Sequence, residues 1–163
     1  MARQATKAQG NMFFEARNNA AKYDERMKSR AMASELLGIS ESQLSRYELG
    51  ITKDVPVDVV ALMSDRYNAP ELKNRYCKEI CPIGCGSPIS CTLSPIEKIT
   101  IQLLRDLDKD NLDTVMKKLI NVAADGEVSE DEKVTVNEIV DYFDRVLLAI
   151  TELRIMAKKN GQS

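Results

Sequence analysis

Apolar residues in this chain recur at three- and four-residue spacing, the period of helices with one buried face. Phe13, Ala16, Ala20 and Tyr23 mark a short helix over 12–23. The charged stretch Asp24–Lys28, interrupted only by Met27, reads as a loop. Ala33, Leu36 and Leu37 define the next helix. Ser29 stands at its N-cap and Gly38 at its end, where a left-handed residue is needed. Ser40-Glu41-Ser42-Gln43 is a capping box, Ser at the N-cap and Gln three residues on. The helix it opens runs to about Leu49 and stops at Gly50. Its period points Leu44 and Tyr47 inward, and Glu41, Ser42, Ser45 and Arg46 outward. Pro56 suits the first position of a helix whose buried face is Val59, Val60, Leu62, Met63 and Tyr67. Pro70 starts a further helix that ends near Tyr76.

The same period returns after residue 94. Ser94-Pro95-Ile96-Glu97 reads as a second capping box, opening a helix to about Leu107, and another helix spans Asn111 to Ala124. Asp125-Gly126 breaks the pattern. Ser129-Glu130-Asp131-Glu132 reads as a third box, and the helix after it is on the order of 30 residues long. Val136, Val140, Phe143, Leu147 and Ile150 alternate four- and three-residue steps along it, and Ile139, Val146 and Leu153 widen the stripe. That is a coiled-coil-like seam. The expected fold is all-α, divided into an arm (1–11), a first helical domain (12–76), a linker (77–94) and a second helical domain with a long amphipathic last helix (95–160).

Composition narrows the chemistry. The chain has no histidine, which removes histidine bases, Ser-His-Asp and Cys-His catalysis and histidine-bound metals. With no phosphate loop or nucleophile pair either, an enzyme is not expected. No apolar run approaches the length of a membrane span, and Met1–Lys7 lacks the apolar stretch of a signal peptide, so a cytoplasmic protein without membrane association is expected. The net charge of −2 conceals an asymmetry. Residues 1–53 carry nine Lys/Arg against six Asp/Glu, whereas residues 77–163 carry 11 against 15. A polyanion would be met by the front of the chain.

Two short helices joined by a glycine-containing turn, the second with a polar outer face, have the shape of a helix-turn-helix. The residues 29–50, with Leu37-Gly38-Ile39-Ser40 at the turn and Ser45-Arg46-Tyr47-Glu48-x-Gly50 at the end, closely resemble the phage-repressor (Cro/repressor-like) helix-turn-helix family. The resemblance covers about residues 12–76. It implies a five-helix domain whose third helix enters the major groove of double-stranded DNA. It places Ser40, Glu41, Ser42 and Arg46 where bases or nearby phosphates are contacted, with Gln43 and Ser45 flanking them. It makes Arg30 a phosphate contact, although Gln is commoner there, and Lys53 is expected to anchor a second phosphate. Glu41 has two readings, an acceptor for cytosine N4 or a helix-start charge that suits the macrodipole. The expected protein is a sequence-specific transcriptional regulator of bacterial or phage type. It would be a homodimer through residues 95–158, because one short helix reads only a few base pairs.

Cys77, Cys81, Cys85 and Cys91 fall within 15 residues, among glycines and prolines. One reading is a single thiolate site for zinc or an iron–sulfur cluster, giving a metal- or redox-responsive regulator. The other is ordinary packing, with Cys77 and Cys81 at a helix end and Cys85 and Cys91 in a linker. A third function class is a helical protein-interaction adaptor. Asp125-Gly126 through Glu132 matches the back half of an EF-hand loop, but Ala123 stands where the front half needs an oxygen ligand, so calcium is not expected.

Overall fold

The structure, a computed structural model, describes residues 7–85 and 87–161. Among them every regular element is helical. The order is α1 (Met12–Ala20), a 3-10 turn (Glu25–Lys28), α2 (Arg30–Leu37), α3 (Glu41–Glu48), α4 (Val57–Arg66), α5 (Glu71–Glu79), α6 (Ile96–Asp106), α7 (Lys109–Val122) and α8 (Lys133–Asn160). Contacts divide the chain into a first unit that runs to Ser87 and takes in the chain from Lys158, and a second unit from Pro88 to Ala157.

The first unit is built around Met12, Phe13, Met27, Ala33, Leu37, Leu44, Val60, Met63, Tyr67 and Leu72, all buried. Of the arm expected over 1–11, residues 1–6 lie outside the described residues. Residues 7–10 form a turn in which Ala8 is buried. Asn11 then caps α1, its side-chain oxygen accepting from the Phe13 and Phe14 N–H groups at 2.9 and 3.3 Å. Tyr23 does not join the apolar face and is 91% exposed. The helix ends at Ala20, and the Tyr23 and Asp24 N–H groups both donate back to the Ala20 carbonyl, so the helical period no longer carries the chain inward. The stretch expected as a loop is instead a 3-10 turn that drives Met27 into the core.

Gly38 closes α2 with φ +63°, as its position predicts. Ser29 precedes α2 but makes no side-chain cap bond. Pro56 is the N-cap of α4 rather than its first residue. α5 passes Tyr76 and continues through Cys77 to Glu79, while Ile80 and Cys81 pack on the core. The first part of the expected linker therefore belongs to the first unit. The Tyr76 hydroxyl, donating to the Val55 carbonyl at 2.8 Å, pins α5 beneath the chain that enters α4.

In the second unit Ile99, Val122, Ile139, Tyr142, Val146 and Ala149 are buried. α7 starts earlier than its apolar period suggests, because Asp108 caps it by accepting from the Asp110 N–H at 3.1 Å. The box at Ser94 does not form: Pro95 is the N-cap of α6, and the Ser94 hydroxyl is buried without a partner. At Ser129 half a box forms. Its N–H and hydroxyl both donate to Glu132, at 2.9 and 2.7 Å, and α8 starts only at Lys133. Only one side of the stripe expected on α8 packs within the unit. Ile139, Tyr142, Val146 and Ala149 are buried, whereas Val140, Phe143 and Leu147 stay 49%, 41% and 40% exposed. Both stripes keep helical spacing and lie side by side on one helix. The Tyr142 hydroxyl, on the inward stripe, donates to the Asp106 carbonyl at the end of α6.

Candidate nucleic-acid interface

The turn Gly38-Ile39-Ser40 sets α3 against α2 through Ala33, Leu37, Leu44 and Tyr47, all buried. Both halves of the box at the start of α3 are made. The Ser40 hydroxyl accepts from the Gln43 N–H at 3.2 Å, and the Gln43 side-chain oxygen accepts from the Ser40 N–H at 3.0 Å. Only the amide nitrogen of Gln43 is left to donate outward. Glu41, Ser42, Gln43 and Arg46 are exposed and Ser45 is half-buried, so the outward face expected from the period is the face the fold leaves open. The Arg46 Nε donates to the Thr52 hydroxyl at 3.2 Å, which steadies the side chain and leaves its two terminal nitrogens for an acceptor. Lys53, exposed in the segment after α3, is on the same unit.

Beneath this face is a buried ionic network that periodicity does not single out. Glu48, at the end of α3, has no exposed side-chain surface. It receives the Nε and Nη2 of the buried Arg17, the latter at 3.0 Å, and the Nε of Arg30 at 2.7 Å. Arg17 also donates from Nη1 to the Met27 carbonyl at 2.7 Å, and its guanidinium stands over the Phe14 ring. One carboxylate thus ties α3 to α1 and to the start of α2. Arg30 is partly committed to it, so a phosphate would meet only its terminal nitrogens. A signal was present in the sequence: Glu48 is one helical turn from Leu44 on the inward face, and Arg17 is one turn from Phe13. The Tyr67 hydroxyl is buried nearby without a hydrogen-bond partner. Burial first, and then the negative Glu48, hold its pKa well above the ordinary tyrosine value, against the opposing effect of Arg17.

Cys77 and Cys81 are half-buried at the end of α5 and Cys85 is exposed, all in the first unit, whereas Cys91 belongs to the second. The turn at Gly84 folds back so closely that a Cβ there would lie 2.5 Å from the Cys77 carbonyl oxygen. Among the described residues no three Cys, Asp or Glu side chains form a metal-holding group. No helix among them is long and apolar enough to cross a membrane.

Residues 20–72 match the helix-turn-helix family model. No curated protein and no solved structure matches the chain. The match runs from the end of α1 to the start of α5 and takes in the glycine turn, the boxed α3 and its buried anchor. Residues 20–72, about a third of the chain, are accordingly similar to the Cro/C1-type helix-turn-helix domains.

Proposed function

We propose that the protein is a sequence-specific transcriptional regulator of bacterial or phage type, binding duplex DNA as a homodimer. The observation that carries this reading is α3: a short helix whose polar side chains stay open while its inner end is clamped by Glu48 to Arg17 and Arg30. Such a helix enters a major groove without rearranging its own support. In this reading Arg46 and Ser42 contact base edges and the Gln43 amide donates to an acceptor. The terminal nitrogens of Arg30 and the ammonium of Lys53 hold phosphates on either side. Glu41 stands in the first turn of α3, where it suits the helix dipole whether or not it also accepts from a cytosine.

The uncovered seam of α8 supports the dimer. Val140, Phe143 and Leu147 on α8 are exposed, as are Ile101 and Leu104 on α6, at 68% and 71%, and a second copy would cover apolar side chains of this kind.

The reading is tested on duplexes selected from a random pool by the purified protein. Affinity should fall steeply with added salt. Arg46→Ala should weaken the selected duplex by about 1–3 kcal/mol and random duplex less. Equal loss on both would assign Arg46 to phosphate alone, and failure to retain any duplex would overturn the function.

A further inference from the structure

Gln43 and Arg46 are neighbours on the outer face of α3, three residues apart. Each is already committed on one side to the protein. The Ser40 N–H only donates, so the Gln43 atom that meets it at 3.0 Å is the amide oxygen, and the Ser40 hydroxyl donates to the same oxygen at 3.1 Å. What Gln43 turns outward is its NH2, a pure donor. Arg46 is committed through Nε, which donates to the Thr52 hydroxyl at 3.2 Å. Local backbone places Thr52 for this. Gly50, with φ +67°, turns the chain back at the end of α3, and the Ile51 and Thr52 N–H groups donate to the carbonyl of Arg46 itself, at 2.9 and 3.4 Å. Thr52 is half-buried, so the acceptor is fixed rather than carried on a loose side chain. The terminal nitrogens of Arg46 remain, side by side in one plane, and they too only donate.

The chemistry of base edges then separates the two purines. A glutamine amide with both ends free pairs with adenine, donating to N7 and accepting from N6. The oxygen of Gln43 already receives two donors and has no lone pair left for that. Two parallel N–H donors need two adjacent acceptors, and in the major groove guanine supplies them as N7 and O6. Adenine sets a donor beside its N7, thymine offers O4 beside a methyl group, and cytosine offers a donor.

We propose that this donor-only pair makes the protein select guanine. The terminal nitrogens of Arg46 bind N7 and O6 of one guanine in the bound site, and Gln43 donates to a neighbouring acceptor instead of reading adenine. Thr52 is a positioning residue, acting through Arg46 by holding the guanidinium end-on to the base. The inference rests on the reading of α3 as the helix that contacts DNA.

The test uses the full chain and duplexes that it selects from a random pool. Each position of the selected duplex is replaced in turn, and affinity is measured at one salt concentration. One guanine is expected whose replacement by adenine or by 7-deazaguanine weakens binding by about tenfold or more. With Arg46→Ala the bases at that position should bind alike. Thr52→Val, which keeps the shape and removes the acceptor, should lower the guanine-over-adenine ratio there by about threefold or more, with Tm and affinity for random duplex unchanged. Thr52→Ser should restore the ratio. Retained duplexes without a guanine sensitive to Arg46→Ala would overturn this inference and leave the DNA-binding reading standing. An adenine preference that Gln43→Ala removes would overturn the donor-only pair, and an unchanged ratio in Thr52→Val would overturn the positioning role. Failure to retain any duplex would overturn the DNA-binding reading, and guanine selection with it.

Discussion

Glu48 illustrates how much of this fold depends on single polar side chains. A fully buried carboxylate is tolerable here because three guanidinium nitrogens converge on it. Removing it leaves Arg17 buried and unpaired, so Glu48→Ala should cost about 3–5 kcal/mol of stability, read as a lower urea midpoint. The neighbouring Tyr67 should behave in the opposite way. Its hydroxyl is buried without a partner, so Tyr67→Phe should leave stability at neutral pH unchanged or slightly higher. Its raised pKa also has a sign. The folded state keeps the phenol neutral, while the unfolded chain ionises near the ordinary tyrosine value of 10.0. Stability from this group is therefore complete below that value and is lost as pH rises above it, toward the folded pKa. Unfolding curves across the alkaline range should fall less steeply for Tyr67→Phe than for the native chain.

At the scale of elements, the helices are set by their ends as much as by their faces. Gly38 has φ +63°, and a Cβ there would meet nothing within 4 Å. The penalty for Gly38→Ala is thus purely conformational, about 1–2 kcal/mol, measurable by thermal unfolding. Ser40→Ala removes the acceptor of the capping box and should cost about 0.5–2 kcal/mol. It should also weaken DNA binding, since the first turn of α3 frays where bases would be met. The failed box at Ser94 marks the boundary of this reasoning. A Ser-x-x-Glu pattern is only an opportunity, and there the chain enters α6 with the hydroxyl turned into the protein instead.

On the scale of the whole molecule, the charge asymmetry and the exposed apolar surface divide the work. The basic excess lies in the half that carries α3, and the apolar excess lies in the second unit. If a second copy covers that surface, Phe143→Asp should convert a dimer to a monomer in sedimentation while leaving the helical content intact, because Phe143 is 41% exposed and does not hold the unit's core. A monomeric native chain would remove the dimer from the proposal and leave the helix-turn-helix standing.

By itself the sequence determined the all-helical class, the helix-turn-helix and the outward face from Glu41 to Arg46. Each of these is local, written in the helical period, a capping box and a glycine at a helix end. What it could not carry was anything decided by approach between distant segments. Asn11 caps α1 and also donates to the Tyr47 carbonyl at 2.9 Å, across 36 residues. Gly38 is legible because its role is conformational. Gly84 is not, because its role is to admit the Cys77 backbone. The same holds for α8. Two apolar stripes are visible in the sequence, and either has the spacing to be buried. In the folded unit Ile139, Val146 and Ala149 turn inward together with Tyr142, whose hydroxyl donates to the Asp106 carbonyl at the end of α6, and Phe143 and Leu147 stay outside. Periodicity fixes what a helix can bury, and packing against its neighbours decides which part it does.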